Sequence, residues 1–168
     1  RVLADIRHSE PHGFLTVPLI LDKVYGNVRK EIEAGGTRGK LIARSVRAKQ
    51  RIARKKGSLL DKLVYAAIGR KVVAQIKAKL SQRVGSRLEV LIVGSAKADA
   101  EALDFFQDVL DIRAFEGYGV TECSPLIAAN TLHGQRNGTV GQPFQEVKLM
   151  TETGVEIAHG DPSTHQFK

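Results

Sequence analysis

A pattern of strand, helix and strand between residues 88 and 115 constrains the fold of this chain more than any other feature. Residues 88–93 form a nearly continuous apolar run, which is typical of a strand buried on both faces of a parallel sheet. A helical pattern follows over residues 98–109, and a second strand is predicted over residues 111–115. The sequence therefore predicts a right-handed βαβ unit, and with it an α/β fold in which helices flank a parallel βαβ-type sheet.

Further elements are predicted on both sides of this unit. A short apolar strand at residues 13–17 is stopped by Pro18, and helical periodicity follows over residues 19–34. Ser58 is a candidate N-cap for a later helix with a long apolar face, and Gly69 is a candidate break in that helix. The apolar face consists of Leu59, Leu60, Leu63, Val64, Ala67 and Ile68. Two more strands are predicted near residues 126–131 and 147–150.

Two segments that carry chemical groups follow the two strands of the predicted βαβ unit. They read Gly94-Ser95-Ala96 and Glu116-Gly117-Tyr118-Gly119-Val120-Thr121-Glu122. Ligands of parallel sheets bind beyond the carboxyl ends of the strands, so we expect both segments at one sheet edge. The glycines allow a tight turn and a close approach of a flat ligand. Tyr118 offers a ring face to a base, Thr121 offers a hydroxyl to a phosphate, and Glu122 offers a carboxylate to Mg²⁺. These groups predict a nucleotide site.

Each of these groups also has an ordinary structural role. A tyrosine at this point can pack on the sheet beside a turn, and threonine followed by glutamate is common at helix N-termini. Cys123 has no evident histidine partner, so we interpret it as structural rather than as a nucleophile. A single cysteine excludes an internal disulfide, and the five histidines lack ligand spacing, so we expect a reducing compartment and no protein-built metal centre.

Three motifs together resemble those of the adenylate-forming enzymes, the AMP-binding acyl-CoA synthetases. The E-G-Y-G-V-T-E run is similar to the core motif of that family, and the turn at residues 94–96 is similar to its Gly-Gly-Ala-type turn, with serine where a second glycine is usual. A third segment, G-T-V-G-Q-P-F at residues 138–144, is similar to the family's G-x-V-G-x-P segment. The start of the chain, including Val17-Pro18, is similar to long-chain members. Three motifs in the correct order are more specific than any one of them.

The resemblance implies a position in a larger domain and a role for each motif residue. Residues 1–150 correspond to the central part of the adenylation domain, with a basic helical insertion at about 36–57, and residues 151–168 form a weakly matching tail. The fold implied is therefore a partial acyl-CoA synthetase-like domain. The implied nucleotide contacts are Gly94, Ser95, Ala96, Glu116, Gly117, Tyr118, Gly119 and Thr121. Thr121 would bond the α-phosphate, and Glu122 would bind Mg²⁺; these two are the implied catalytic residues.

The chemistry implied by the resemblance is that of an ATP-dependent long-chain fatty-acid–CoA ligase, which forms an acyl-adenylate and then acyl-CoA. An acyl carrier protein as the thiol acceptor would use the same residues. The alternative from a different class is a non-catalytic remnant that binds nucleotide or docks on a membrane. The family's phosphate loop is expected before Arg1, and its ribose-binding aspartate and small carboxy-terminal domain are expected after Lys168. We therefore expect the isolated 168-residue chain to be inactive.

The positive charge of the chain, formally +8, is concentrated in one segment. Residues 38–56 contain nine lysines and arginines and no acidic residue, at a spacing that predicts an amphipathic helix with one cationic face. Three interpretations fit such a face: contact with anionic lipid headgroups, contact with nucleic acid, and simple exposure to solvent. Nucleic acid is not expected, because no aromatic residue interleaves the basic ones. No membrane span or signal peptide is evident, so we expect a cytoplasmic protein, with peripheral contact at the inner membrane surface as the membrane hypothesis.

Overall fold

The computed structural model describes residues 2–131, 134–144, 146–148 and 150–156. Within them a five-stranded sheet is accompanied by six α-helices. In chain order the elements are α1 (Val2–Ser9), β1 (Gly13–Thr16), α2 (Pro18–Glu33), α3 (Gly36–Ala53), α4 (Leu59–Val64), a π-helical turn (Tyr65–Gly69), α5 (Arg70–Val84), β2 (Val90–Val93), α6 (Ala100–Asp108), β3 (Arg113–Tyr118), a 3-10 turn (Thr121–Cys123), β4 (Ala128–Ala129) and β5 (Gln142–Pro143).

The sheet has the strand order β1-β2-β3-β4-β5 and is mixed rather than parallel throughout. The first three strands are parallel, with Leu15 opposite Ile92 and Ile92 opposite Phe115. This arrangement confirms the predicted parallel βαβ unit as β2–α6–β3. Strands β3, β4 and β5 pair antiparallel, because the chain reverses direction between β3 and β4. The α/β class is therefore correct, and the sheet is parallel in only one half.

Two of the predicted strands are much shorter than the sequence suggests. The strand expected at residues 126–131 is reduced to Ala128 and Ala129. The strand expected at residues 147–150 is represented, among the described residues, by a single antiparallel bridge between Met150 and Glu156. Apolar content alone therefore overestimates strand length where the chain lies at the margin of the sheet.

The centre of the core lies where α6 packs against the covered face of the sheet. Leu103, Phe105 and Phe106 of α6 are essentially fully buried. Fully burying an apolar side chain of this size stabilises a fold by about 1.5–3 kcal/mol. Tyr25 of α2 packs its ring on Phe105, with the ring centroids 5.4 Å apart, and its hydroxyl donates a 2.9 Å hydrogen bond to Glu101. Burial, reinforced by this bond, raises the pKa of Tyr25 to about 12.

The opposite face of the sheet is open at β1 and β2 but covered at β3, where Phe115 is only 9% exposed. Leu15 is 74% exposed and Ile92, its neighbour across β1 and β2, is 40% exposed. The prediction that the strand at residues 88–93 is buried on both faces is therefore wrong for the part of the chain that the structure describes. The physical reason is that little of the described chain covers β1 and β2 on this side, whereas Leu91 and Val93 face the core and are buried.

Helix α4 begins as the sequence predicts and continues further than predicted. The Ser58 side chain accepts a hydrogen bond from the Asp61 backbone N–H at 3.2 Å, and the Asp61 carboxylate accepts one from the Ser58 N–H at 2.9 Å, forming a capping box. The predicted break at Gly69 is wrong, because the π-helical turn leads without interruption into α5. Gly69 is buried, and a side chain there would collide with the Tyr65 ring. The glycine thus permits close packing rather than ending the helix.

Salt bridges tie the basic helix α3 and helix α5 to the end of α6. The guanidinium of Arg54 lies 2.6 Å from the carboxylates of both Asp104 and Asp108. The ammonium groups of Lys49 and Lys77 each lie 2.8 Å from Asp111, just beyond α6. Burial alone would raise the pKa of Asp111, but the hydrogen bonds from both lysines outweigh it and hold the pKa below its usual range.

Candidate functional site

A cleft of about 900 Å³ opens beyond the carboxyl ends of β2 and β3. It is lined by residues 95–97, 116–120 and 136–140. Each of these three segments overlaps one of the three motifs in the sequence. The first segment follows β2, and the second includes the end of β3. Because β2 and β3 are parallel neighbours, the two segments meet at one sheet edge, as expected. The geometry therefore brings together six of the residues singled out in the sequence: Ser95, Ala96, Glu116, Gly117, Tyr118 and Gly119.

The segment after β2 forms the first wall of the cleft and contains an unusual backbone conformation. Ser95 has φ +71°, in the left-handed region that favours glycine. Glycine would adopt this conformation without strain, as expected for the Gly-Gly-Ala-type turn that this segment resembles. Gly94 does not line the cleft; its N–H donates a 3.0 Å hydrogen bond to the Thr16 carbonyl and so ties the turn to β1. Lys97 lines the cleft and was missed, since a lone lysine carries no sequence signal.

The second wall belongs to β3, which extends further than predicted. The strand was expected to end at Phe115, but it continues to Tyr118, so Gly117 lies in a strand and not in a turn. Tyr118 is 51% exposed at the cleft. The close approach occurs instead at Gly119, where a side chain would collide with the backbone carbonyl of Pro125. The motif thus needs its second glycine because the returning chain passes directly against it.

The carboxylate of Glu116 joins the walls of the cleft. This side chain is only 4% exposed. One oxygen accepts a 3.1 Å hydrogen bond from the Ala98 N–H, and the other accepts a 3.0 Å bond from the Gly138 N–H. Hydrogen bonds to a charged group contribute about 1.5–3 kcal/mol each. The resemblance implies a nucleotide contact for Glu116 and does not reveal this bridge, although a carboxylate directly after a predicted strand was an available signal.

The third wall is the loop at residues 134–141, which is held in place from behind. Asn130 is buried; its amide donates a 2.5 Å hydrogen bond to the Thr139 carbonyl, and its side-chain oxygen accepts a 3.0 Å bond from the Arg136 N–H. Gln135 donates a 2.8 Å bond to the Ala114 carbonyl of β3. These bonds fix the position of the wall. The exposed guanidinium of Arg136 adds a positive charge to the cleft, which together with Lys97 favours an anionic ligand.

Thr121 and Glu122 lie next to the cleft rather than in it. Both are exposed in the 3-10 turn, and neither lines the cleft, because the lining part of this segment ends at Val120. Among the residues that the structure describes, no three acidic, histidine or cysteine side chains are grouped as a metal site. Mg²⁺ is commonly bound by one or two carboxylates together with substrate phosphates, and a single exposed carboxylate such as that of Glu122 fits this arrangement. It does not fit a cage built from protein ligands alone.

Comparison with known proteins identifies the family that the three motifs resemble. The family model described as "AMP-binding enzyme" matches residues 1–162, so the chain belongs to the AMP-binding enzyme family. It is 26% identical over 166 residues to long chain acyl-CoA synthetase 4 of Arabidopsis thaliana, a match that covers 94% of this chain and 23% of that protein. It is 28% identical over 143 residues to long-chain-fatty-acid–CoA ligase 5 of Rattus norvegicus, covering 83% of this chain and 19% of that protein.

The chain thus spans about a fifth of the length of these relatives. A solved structure of the anthranilate CoA ligase AuaEII in complex with anthranoyl-AMP is 23% identical, with a TM-score of 0.44, over 55% of this chain and 18% of that one. Because the TM-score lies below 0.5, this likeness adds nothing to the family assignment.

The helices of the described residues include none with the length and apolar content needed to cross a membrane.

Proposed function

We propose that this chain forms the adenine-nucleotide cleft of an ATP-dependent long-chain fatty-acid–CoA ligase. The observation that carries the proposal is that all three motif segments line one cleft of about 900 Å³ at the carboxyl ends of β2 and β3. The family assignment over residues 1–162 supports the nucleotide, and the names of the relatives support the fatty acid and CoA.

The base of the nucleotide would stack on Tyr118. Its ring is half-exposed at the cleft, and stacking of a base on an aromatic side chain contributes about 1–3 kcal/mol. The small residues Ser95, Ala96, Gly117 and Gly119 leave room for a flat ligand beside that ring. Gly94 would act through the turn that it anchors on β1. Glu116 would keep the walls at the correct separation, since its carboxylate joins two of them.

The phosphates would lie toward Thr121 and Glu122. Thr121 offers a hydroxyl to the α-phosphate, and Glu122 offers a carboxylate to a Mg²⁺ ion carried by the nucleotide. Bound Mg²⁺ would neutralise part of the charge that develops on the phosphates. Lys97 and Arg136 supply fixed positive charge on the cleft walls. The residues of this chain would therefore contribute positioning and electrostatic stabilisation, which are the main requirements of phosphoryl chemistry.

The reaction proposed for the whole enzyme has two steps. The fatty-acid carboxylate attacks the α-phosphate of ATP and releases pyrophosphate, and the CoA thiol then displaces AMP to give the thioester. The acyl carrier protein alternative would differ only in the second step, and a panel of thiol acceptors with the full-length enzyme separates the two. A non-catalytic remnant would bind nucleotide without turnover.

We place the protein in the cytoplasm, with peripheral contact at the inner membrane surface.

Nucleotide binding to the purified chain tests the proposal. We expect a fluorescent AMP analogue to bind, Tyr118→Leu to weaken binding by about 5- to 100-fold through loss of stacking, and Tyr118→Phe to retain it. Retained binding by Tyr118→Phe would distinguish stacking on the ring from a role of the tyrosine hydroxyl. Equal binding by all three proteins would contradict the proposed position of the base.

The phosphate end is tested with ATP in the presence and absence of Mg²⁺. We expect Thr121→Val to weaken ATP binding, and Glu122→Gln to remove the gain in affinity that Mg²⁺ gives. A variant of an exposed glutamate away from the cleft, Glu89→Gln, should keep that gain. We also expect no ATP–pyrophosphate exchange by the 168-residue chain; measurable exchange would show that this chain alone suffices for adenylation.

A further inference from the structure

A second cavity, the three-helix pocket, is lined by helices α2, α3 and α5. It has a volume of about 530 Å³ and shares no lining residue with the nucleotide cleft. Each helix contributes residues three, four or seven positions apart, so each turns one face to the pocket. The apolar members of these faces are Val24, Val28, Leu41, Ile42, Val72, Ile76 and Leu80. A cavity of this size, with an apolar lining and a few polar groups, is typical of a small-molecule site.

The three-helix pocket is charged at one end and apolar at the other. In α2, Val24 precedes Glu31 by two helical turns, and in α5, Val72 precedes Lys79 by the same distance along the helix. The ammonium of Lys79 lies 3.0 Å from the carboxylate of Glu31, so the later parts of the two helix faces meet. The charged groups therefore mark one end of the pocket, and Val24 and Val72 lie toward the other end.

The charged end already holds one carboxylate. Glu31 accepts a 3.2 Å hydrogen bond from the guanidinium of Arg38 and a 3.0 Å bond from the ammonium of Lys79. The bond from Lys79 is the main reason why the pKa of Glu31 lies below its usual range, so this carboxylate is charged at neutral pH. A third cation, Arg83, is exposed and forms no ion pair within the described part of the chain. Three positive charges thus accompany one negative charge.

We propose that the three-helix pocket is a second ligand site, for an amphiphilic carboxylate that consists of an apolar chain with one terminal carboxylate group. The terminal group would pair with Arg83 and Lys79, next to the carboxylate of Glu31. The position of Glu31 supports this, because the cations of this end already bind one carboxylate. The chain would extend over the apolar lining toward Val24 and Val72.

The polarity of the pocket favours this class of ligand over others. A neutral apolar molecule would leave the positive excess without a partner, and a small anion without a chain would leave the apolar end in water. The site also differs from that of a reacting fatty acid, whose carboxylate must reach the α-phosphate in the cleft, because no residue lines both cavities. The proposal therefore goes beyond the function proposed for the cleft and does not depend on it.

Isothermal titration calorimetry of the 168-residue chain with dodecanoate, below its micelle-forming concentration, tests the proposal. We expect one dodecanoate to bind per chain, and a saturating AMP analogue to leave this binding unchanged. Decanoate should bind more weakly by up to about 15-fold, because two fewer methylene groups are buried. The cation dodecyltrimethylammonium should not bind, and high salt should weaken the binding of dodecanoate.

Two variants locate the bound dodecanoate, one at each end of the pocket. Lys79→Gln/Arg83→Gln should weaken binding by about tenfold or more, because the carboxylate loses both charged partners. Val24→Phe should also weaken binding, because the larger side chain fills the apolar end, but it should leave the salt dependence in place. Circular dichroism verifies that each variant is folded. The two charge changes are at exposed positions, so this variant keeps the test valid if Val24→Phe does not fold.

Matched controls make the same kinds of change outside the pocket. Lys62→Gln/Lys71→Gln removes two exposed charges, and Leu15→Phe enlarges an exposed side chain on the open face of the sheet. Both should change the affinity for dodecanoate by less than about threefold, since they leave the pocket intact. The proposal is overturned by equal losses in test and control variants, by absence of dodecanoate binding, or by equal binding of the cationic amphiphile. Displacement of dodecanoate by the AMP analogue also overturns it, since the ligand would then lie in the cleft.

Discussion

Helices α6 and α4 carry similar apolar patterns and have opposite environments. On α6, Leu103 and Phe106 are buried against the sheet. On α4, Leu60 and Leu63 occupy equivalent positions of an apolar stripe and stand in solvent. Both helices begin with a side-chain cap, at Asp99 and Ser58 respectively, so local helix signals do not distinguish them. The difference is that α6 crosses between two parallel strands, which brings its face onto the sheet.

The comparison shows that periodicity predicts which face of a helix is apolar and leaves open what covers it. For α6 the covering surface is fixed by connectivity, because the helix joins adjacent strands. For α4 the neighbouring helix α3 meets the side of Asp61 and Tyr65 instead. The identical change made on the two helices is therefore the most direct way to break the comparison.

The largest effect is expected for Leu103→Ala, with Leu60→Ala as its matched control. Leu103 is fully buried, and truncating a buried leucine to alanine costs about 2–5 kcal/mol in free energy of unfolding. Leu60 is mostly exposed, so the same change there should alter that free energy by less than about 0.5 kcal/mol. Urea unfolding followed by circular dichroism measures both. A comparable loss in Leu60→Ala would mean that the α4 stripe is covered in solution.

A second effect concerns the carboxylate that links the start of α6 to the cleft. Glu116→Gln keeps the shape of the side chain but replaces one acceptor oxygen with an NH₂ group, which would face either the Ala98 or the Gly138 N–H. We expect a loss of about 1–3 kcal/mol in free energy of unfolding. Glu89→Gln, at an exposed site beside β2, should change it by less than about 0.5 kcal/mol.

Nucleotide affinity separates a role of Glu116 in shaping the cleft from a role in stability alone, because a change in stability alone would leave the affinity of the folded protein unchanged. Binding is measured without urea, at a temperature where Glu116→Gln is fully folded. We expect its affinity for an AMP analogue to fall about 5- to 100-fold, because two walls of the cleft lose their common anchor. A folded Glu116→Gln protein with unchanged affinity would show that the carboxylate stabilises the sheet edge without positioning the walls.

The sequence predicts the elements well and their surroundings poorly. The βαβ unit, the Ser58 cap and the meeting of the motif segments at one edge all follow from local pattern and strand order. The bridge made by Glu116 does not follow from local pattern, because Ala98 and Gly138 lie 18 and 22 residues away in sequence. Only the tertiary fold brings their N–H groups to the carboxylate. The exposure of Ile92 could not be predicted either, since an apolar run does not indicate which face of the strand lacks a packing partner.

A smaller effect, of opposite sign, is expected in the turn that leads from β2 toward α6. Ser95 adopts φ +71°, a conformation that costs a residue with a side chain about 1–2 kcal/mol relative to glycine. The greater chain entropy of glycine in the unfolded state offsets part of this. Ser95→Gly should therefore raise the free energy of unfolding by about 0.5–1 kcal/mol. Ala96→Gly, at a neighbour without positive φ, should lower it by a similar amount; the same sign for both variants would contradict the argument.

The smallest effect tests how the end of α6 is tied to helices α3 and α5. Asp111 follows α6 and pairs with Lys49 of α3 and Lys77 of α5, each at 2.8 Å. Asp111→Asn removes the charge, and asparagine tolerates the local φ of +56° as well as aspartate does. Because Asp111 is more than half exposed, solvent screening limits the loss at neutral pH to about 0.2–1 kcal/mol.

The pH dependence of this difference identifies its origin. The folded-state pKa of Asp111 lies below its ordinary value of 3.8, so the wild-type advantage should be fully present above that value. It should disappear as the pH falls through the lowered folded-state pKa, where the carboxylate is protonated in both states. High salt should shrink it at any pH, since the pairs are exposed. A stability difference between wild type and Asp111→Asn that is constant from neutral pH into acid would instead assign the effect to packing, and the α3 and α6 regions would then be joined without help from this charge.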